Sequence, residues 1–243
     1  MKIIDNKDKI IKLQGNEKVI TSIYFLDKQI DQSYHQAKKI KFPKKYSAIE
    51  NIVIGGMGGS RFPALIVYHL FKDQLKRPIL INDQYNLPDF VNEKTLFIAS
   101  SYSGTTEEVL VMLEQARNKK ALISGITTGG PLAKILTNLK IPSYQFDPSY
   151  NPSAQPRIGF GYTVGGLIGL LKALGVLTLS EKEFTQGLAF LKKTIKNFSI
   201  DTPFDKNEAK KLAYCLFKKY PFYIVSEFLT GVGNAIANQT NET

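Results

Sequence analysis

Two short runs of glycine and hydroxyl residues are the clearest candidates for chemistry in this sequence. The first is "GGMGGS" at positions 55–60, and the second is "SSYSGTTEE" at positions 100–108. Glycines let a ligand approach the backbone, and small hydroxyl side chains donate hydrogen bonds without bulk, which suits an anion. Both runs follow apolar segments that predict buried strands. We therefore expect both at the carboxyl ends of parallel strands, where open α/β sheets bind ligands.

Helix capping and dinucleotide binding are the competing interpretations of these runs. Ser60 would serve as the cap of the first following helix, and Thr105 or Thr106 as the cap of the second. Asp83, after the second predicted strand, would serve as a ribose ligand, but Arg61 stands where G-x-G-x-x-G needs its third glycine. A Walker loop is also absent, because no G-K-[ST] follows. Two such loops in one domain favour a phosphate monoester site, with hydroxyls from Ser60, Ser101, Ser103 and Thr106.

The elements that would position these loops alternate between strands and helices. Continuous apolar runs in "NIVIGG", "PILIND", "KTLFIASS" and "ALISGITTG" are typical of parallel strands covered on both faces. Helical patterns separate most of these runs, and a further strand, "IPSYQF", follows the last helix. The predicted fold class is a doubly wound parallel α/β sheet, flavodoxin-like, with helices on both faces, over residues 45–155.

Three further regions flank this domain. Residues 1–44 form an N-terminal helical segment, in which periodic apolar residues predict one long helix from about residue 16 to residue 41. Residues 156–219 are predicted as linking helices. Residues 220–243 contain a predicted strand, "PFYIVSE", then a glycine turn and a helix, which repeats the order of residues 51–70. We expect this region to begin a second, incomplete domain, and the chain to be an N-terminal fragment.

Composition limits the kinds of partner. The formal net charge is +11, with 32 Lys and Arg against 21 Asp and Glu, but the basic residues are scattered. Without a basic stripe among aromatic residues, we predict an attraction for anionic metabolites and no nucleic-acid binding. The glycine-rich run "IGFGYTVGGLIGLLKALGVL" contains a lysine and is predicted as a buried helix, with no membrane contact.

Location, redox state and cofactors follow from a few residue types. The charged N-terminus is unlike a signal peptide, so we expect a cytoplasmic protein. Cys215 is the one cysteine, and its helical surroundings predict a buried core thiol. No His or Cys cluster has metal-ligand spacing, so neither a metal nor another cofactor is predicted.

Four motifs in this order resemble one family: "GGMGGS", "SYSGTTEE", "QPR" and "GNAIANQTNE". The chain from about Ile52 onward is similar to the bifunctional phosphoglucose/phosphomannose isomerases of the sugar isomerase (SIS) superfamily. The resemblance implies aldose–ketose isomerisation of hexose 6-phosphates through an enediolate, by a homodimer whose subunits have two SIS subdomains. It also implies that Arg157 stabilises the enediolate and that Glu242 is the base. The implied phosphate ligands are Gly58, Gly59, Ser60, Ser101, Ser103 and Thr106.

Departures from the family pattern shape what we expect of this chain. Arg61 and Pro63 stand where the family commonly has small residues, so the first sheet helix should start or pack differently. The family's ring-opening histidine and its C-terminal lysine and threonine lie beyond residue 243. His35 and His69 fall on predicted helices and are interpreted as structural or exposed. We expect the 243-residue chain to bind phosphate but to isomerise poorly or not at all.

Other functional classes remain open at this point. A sugar-phosphate-binding SIS module without catalysis would retain the two loops but would normally carry an output domain, and no helix-turn-helix signal is present. An amidotransferase-type isomerase would need a glutaminase domain with an N-terminal cysteine nucleophile. Cys215 does not occupy such a position.

Overall fold

One parallel sheet forms the centre of the molecule in the computed structural model, which describes residues 3–13 and 17–241. In these residues the sheet has five strands: β1 (Asn51–Gly55), β2 (Ile79–Asn82), β3 (Thr95–Ser100), β4 (Leu122–Thr127) and β5 (Tyr144–Gln145). Their order is β2-β1-β3-β4-β5, and every neighbouring pair is parallel. The doubly wound sheet predicted from the sequence is confirmed.

Helices cover both faces of this sheet. Three of them connect strands: α4 (Phe62–Phe71), α5 (Glu107–Asn118) and α6 (Gly130–Asn138). The others in the described residues are α1 (Lys7–Leu13), α2 (Glu17–Tyr24), α3 (Leu26–Ala37), α7 (Phe160–Ala173), α8 (Glu181–Asn197), α9 (Glu208–Leu216) and α10 (Thr230–Asn241). Successive strand residues face opposite layers, so Ile52 packs with α3, α4 and α7 while Val53 packs with α5 and α6.

The glycine-rich run predicted as a buried helix forms α7, which lies close against α3. A Cβ atom on Gly165 would stand 2.1 Å from the Ser33 hydroxyl oxygen and 2.4 Å from the Ile30 carbonyl oxygen. Gly161 and Gly169 meet α3 in the same way, one helical turn away on each side. Small residues at this spacing let the two helix backbones approach each other.

The long N-terminal helix predicted from the sequence is divided into two. α2 ends at Tyr24 and α3 begins at Leu26, with a turn at Phe25. The Gln29 side-chain amide donates to the carbonyl of Ser22 and to that of Tyr150, which ties the junction to the 147–157 segment. The periodic pattern continues across the break because the same face stays buried on both sides.

Two further predictions are wrong in the C-terminal region. Residues 221–226 form no strand, because no strand of the described chain lies beside them to complete a ladder. Tyr220, Phe222 and Ile224 are 94%, 90% and 98% exposed. Cys215 is exposed and does not lie in a core, since α9 has few neighbours to cover its apolar side chains.

α10 returns to the first domain and packs on α4. A Cβ atom on Gly231 would stand 2.4 Å from the carbonyl oxygen of Leu65, so the helices are in close contact. Within the described residues, every helix is too short or too polar to cross a lipid bilayer.

Candidate functional site

Three loops meet at the carboxyl edge of the sheet. Gly55 at the end of β1 pairs with Ala99 of β3, and Ser100 at the end of β3 pairs with Ile126 of β4. Residues 56–61, 101–106 and 128–130 are therefore neighbours. The chain order reverses direction between β1 and β3, and ligands of open α/β sheets bind at such a switch point.

The first loop is a tight turn held by Ser60. Gly58–Ser60 form a 3-10 turn, in which Gly58 has a φ of +44° and open space beside it. The Ser60 hydroxyl accepts a hydrogen bond from the Tyr102 backbone N–H at 3.0 Å and is 6% exposed. It does not cap α4, whose N-cap is Arg61 without a side-chain hydrogen bond. The capping interpretation of Ser60 is therefore wrong.

The second loop is organised by hydroxyl pairs. The Ser101 and Thr106 hydroxyl oxygens are 2.7 Å apart, and Ser101 also accepts from the Gly104 N–H at 3.0 Å. The Ser103 and Thr105 hydroxyls are 2.8 Å apart and both residues are exposed. Thr106 occupies the N-cap of α5 but makes no side-chain cap bond, so its hydroxyl is directed to Ser101. Without a side-chain cap, N–H groups of the first turn remain available to an anion.

A third loop, residues 128–130, supports the second and was not among the predicted ligand loops. Thr128 donates to the Tyr102 carbonyl from its N–H at 2.9 Å and from its hydroxyl at 2.8 Å. Gly104 has a φ of +70°, and a Cβ atom there would stand 1.9 Å from the Gly129 carbonyl oxygen. The run "ITTGG" has the same glycine and hydroxyl composition as the other two loops and also ends a strand. The criterion of glycine and hydroxyl residues after an apolar strand therefore also predicts this third loop.

Arg157 lies beside the first loop. A Cβ atom on Gly59 would stand 3.3 Å from the Arg157 backbone nitrogen, and the Gln239 amide donates to the Arg157 carbonyl at 2.7 Å. The structure thus brings the predicted arginine, the predicted phosphate loop and the last turn of α10 together. Glu242, the predicted base, lies outside the described residues, directly after Asn241 in the sequence.

Arg61 and Pro63, the two residues near the first loop that depart from the family pattern, have distinct structural roles. The Arg61 Nε atom lies 2.8 Å from an Asp83 carboxylate oxygen. The acid that a dinucleotide ribose would need is therefore paired with a guanidinium. Pro63 occupies the first turn of α4, where a missing N–H is tolerated.

The 147–157 segment is anchored by polar contacts. Asn151 is 3% exposed and its amide donates to the Tyr102 hydroxyl at 2.8 Å. Burial raises the pKa of Tyr102, which keeps its phenol neutral. In the sequence this segment is a polar connection, and no motif predicts a role for Asn151 or Tyr102.

Both histidines lie away from these loops, on α3 and α4. His35 lies 3.3 Å from an Asp31 carboxylate oxygen, one helical turn earlier. Burial, with a smaller contribution from Lys72, lowers the pKa of His69. Neither residue contributes to the carboxyl edge of the sheet.

No protein-family model matches the chain. It is 35% identical over 201 residues to a bifunctional phosphoglucose/phosphomannose isomerase from Caldicellulosiruptor bescii, covering 82% of this chain and 58% of the relative. A protein of the same name from Thermoplasma volcanium is 37% identical over 133 residues, covering 54% of this chain and 40% of that one. The resemblance inferred from the four motifs is confirmed. The chain spans little more than half the length of the first of these relatives.

Among solved structures, the chain is similar to the C-terminal domain of a glucosamine-fructose-6-phosphate aminotransferase from Francisella tularensis. The TM-score is 0.66, and the match covers 94% of this chain and 68% of that domain. Sequence identity is 12%, so this likeness concerns the fold alone.

Proposed function

We propose that this chain, a relative of the bifunctional phosphoglucose/phosphomannose isomerases, forms the phosphate-binding part of an aldose–ketose isomerase. The proposed substrates are glucose 6-phosphate, fructose 6-phosphate and, because the relatives carry both activities in their name, mannose 6-phosphate. One observation carries the proposal: two loops joined by the bond between Ser60 and Tyr102 lie beside Arg157.

The phosphate is proposed to bind between the first two loops. Ser103 is exposed and Thr106 half-buried, so their hydroxyls are accessible to a ligand, and backbone N–H groups of Gly58 and Gly59 add further donors. Ser60 and Ser101 are 6% and 1% exposed. Their hydroxyls already hold the loops together, and we propose that they shape the site around the phosphate.

The proposed reaction moves one proton between neighbouring carbons of the open-chain sugar. The Glu242 carboxylate takes the proton from C2 of the aldose, and the C–H electrons form the enediolate. The same proton is then delivered to C1 while the proton of the O2 hydroxyl moves to O1, so that C2 becomes the carbonyl carbon of the ketose. Arg157 carries a permanent positive charge and stabilises the enediolate oxygen. The distant phosphate contributes binding energy that holds the reacting carbons in place.

The apolar surface around residues 217–224 supports a second subdomain. Phe217 is 72% exposed, and Phe222 and Ile224 are more exposed still. Several large apolar side chains exposed within a short stretch are typical of an interaction site. We propose that residues 220–243 begin a second SIS subdomain, that the remainder of such a subdomain packs here, and that the enzyme is a homodimer.

Calorimetric titration of the purified chain tests the phosphate site. We expect glucose 6-phosphate to bind and glucose, which lacks the phosphate, to give no heat. Equal binding of the two sugars would contradict the proposal.

The role of Glu242 is tested separately, by Glu242→Gln. We expect the substitution to leave the affinity for glucose 6-phosphate within about twofold and to remove any conversion of fructose 6-phosphate that the chain shows. Conversion that survives the substitution would exclude Glu242 as the base. A sugar-phosphate-binding module without catalysis would instead bind glucose 6-phosphate and show no conversion from the start, even when extended to the length of the relatives.

A further inference from the structure

The side chain of Asn151 makes three hydrogen bonds in a buried position. Its amide nitrogen donates to the Tyr102 hydroxyl at 2.8 Å and to the Gln155 carbonyl at 2.9 Å. Its side-chain oxygen accepts from the Ser153 hydroxyl at 2.7 Å. A buried amide whose donor and acceptor atoms are both engaged adopts one orientation, because any other leaves polar atoms unpaired.

The Tyr102 end of this network belongs to the phosphate loops. The Tyr102 backbone N–H is bonded to Ser60 and its carbonyl to Thr128, so all three loops are attached to this one residue. The Tyr102 ring contacts Phe146 edge to face, with 5.6 Å between the ring centroids, and its hydroxyl accepts the hydrogen bond from Asn151.

The Gln155 end belongs to the turn that carries Arg157. The Gln155 carbonyl accepts the Asn151 amide and also the backbone N–H groups of Ile158 and Gly159, both at 3.1 Å. Arg157 lies inside this turn. Gly159 also packs against the pair, since a Cβ atom there would stand 2.6 Å from the Asn151 amide nitrogen and 2.6 Å from the Tyr102 ring.

We propose that Asn151 is a positioning residue for the isomerisation: its amide couples the loops that hold the phosphate to the turn that carries Arg157. The inference rests on the proposed function above. The phosphate is at C6 of the substrate and the reacting carbons are C1 and C2, so catalysis requires a fixed separation between phosphate ligands and guanidinium. Small displacements of a catalytic group are costly, of the order of a hundredfold for about 1 Å.

Two probes separate the phosphate loops from Arg157. Inorganic phosphate reports on the loops alone. A pentonic acid 5-phosphate carries, in addition, a carboxylate that mimics the charge of the enediolate. We expect the unaltered chain to bind the pentonic acid 5-phosphate at least about tenfold more tightly than phosphate, and Arg157→Ala to abolish that preference.

Asn151→Ala is the test variant. We expect phosphate affinity within about twofold of the unaltered chain and a preference for the pentonic acid 5-phosphate that falls about tenfold. Tyr102→Phe removes only the hydroxyl and should reduce the preference in the same direction. The double variant should lose no more than Asn151→Ala, because the hydrogen bond that Tyr102→Phe removes is already absent from Asn151→Ala. If Asn151→Ala does not fold, Tyr102→Phe carries the test.

Asn207→Ala is the matched control. Asn207 is fully buried and bonded to the Ser199 carbonyl and the Lys210 N–H, in the connection between α8 and α9. We expect it to lower the melting temperature without changing the preference. An Asn151→Ala chain that keeps its preference, or that loses affinity for both probes equally, overturns the inference. An unaltered chain without an Arg157-dependent preference contradicts the proposed function itself, and the inference falls with it.

Discussion

The Ser60 hydroxyl and the Tyr102 backbone N–H are joined by a 3.0 Å hydrogen bond between two loops that are 42 residues apart in the sequence. The bond links the loop that follows β1 to the loop that follows β3. It joins the first loop, residues 56–61, to the second loop, residues 101–106. The shape of either loop therefore depends on the other, and so does its contact with a bound anion.

Replacing Ser103 and Thr106 together by alanine should weaken glucose 6-phosphate binding. Hydrogen bonds to a charged group contribute about 1.5–3 kcal/mol each, so we expect at least about a tenfold loss in a calorimetric titration. Thr194→Ala is the control, because the Thr194 hydroxyl donates to a backbone carbonyl within α8. An unchanged affinity in the double variant would place the phosphate elsewhere.

Gly104→Ala should disrupt the second loop, residues 101–106. The new methyl group would collide with the Gly129 carbonyl, 1.9 Å away, and the positive φ would add strain. We expect loss of glucose 6-phosphate binding and a lower melting temperature. Gly175→Ala is a matched control, since Gly175 has the same φ of +70° but open space around it. Equal effects of the two changes on binding would contradict the steric explanation.

Gly165→Ala should separate α3 from α7. Its methyl group would lie within 2.4 Å of atoms of both Ser33 and Ile30, and overpacking of this kind costs about 1–3 kcal/mol. Gly187, inside α8, has nothing within 4 Å, so Gly187→Ala should stabilise the protein by about 0.5–1 kcal/mol. Urea unfolding measures both, and two changes of the same sign would contradict this account.

Lys210→Ala should destabilise the attachment of the N-terminal segment. The Lys210 side chain is 7% exposed, and its ammonium group lies 2.9 Å from Asp5 and 2.8 Å from the Ile200 carbonyl. The Asp5 side chain left behind is 23% exposed, so we expect the loss of this charged hydrogen bond to cost about 1.5–3 kcal/mol. The exposed Lys7–Asp201 pair joins the same two regions, so Lys7→Ala should change the melting temperature little. Comparable losses from both variants would show that burial is not the deciding factor.

Glu181→Gln should reduce stability in a pH-dependent way. Hydrogen bonds from Lys38 first, then Tyr34 and Lys172, lower the pKa of Glu181 from 4.5 to about 2. A carboxyl group with a lowered pKa in the folded state stabilises that state above its unfolded pKa. The difference in melting temperature between the two proteins should therefore be complete above about pH 5 and shrink as the pH falls from 4.5 towards 2. A difference independent of pH would contradict the ionic contribution.

The sheet was predictable because burial on both faces leaves a strong signal. All six residues of β3 are buried, and Leu96 to Ala99 form an uninterrupted apolar run in the sequence. The same reasoning failed at residues 221–226, where an apolar run has no neighbouring strand among residues 3–13 and 17–241. A strand depends on its partners, and no local pattern reports whether a partner is present.

The loops were predictable from their composition, but their internal bonding was not. Glycine and hydroxyl residues after β1 and β3 indicated an anion site, yet the sequence does not show that Thr106 turns to Ser101 and leaves α5 without a side-chain cap. The contact between Tyr102 and Asn151 spans 49 residues, and it depends on the tertiary path of the 147–157 segment.

The contact between α3 and α7 has a consequence for synthesis of the chain. Ser33 and Gly161 touch across 128 residues of sequence, and a ribosome delivers the N-terminal partner first. One face of the growing sheet, with Ile52 and Ile54, therefore has no α7 to cover it until residue 173 has emerged. The N-terminal helices are made first but reach their final place late, and until then the nascent chain presents an apolar surface that a chaperone would recognise.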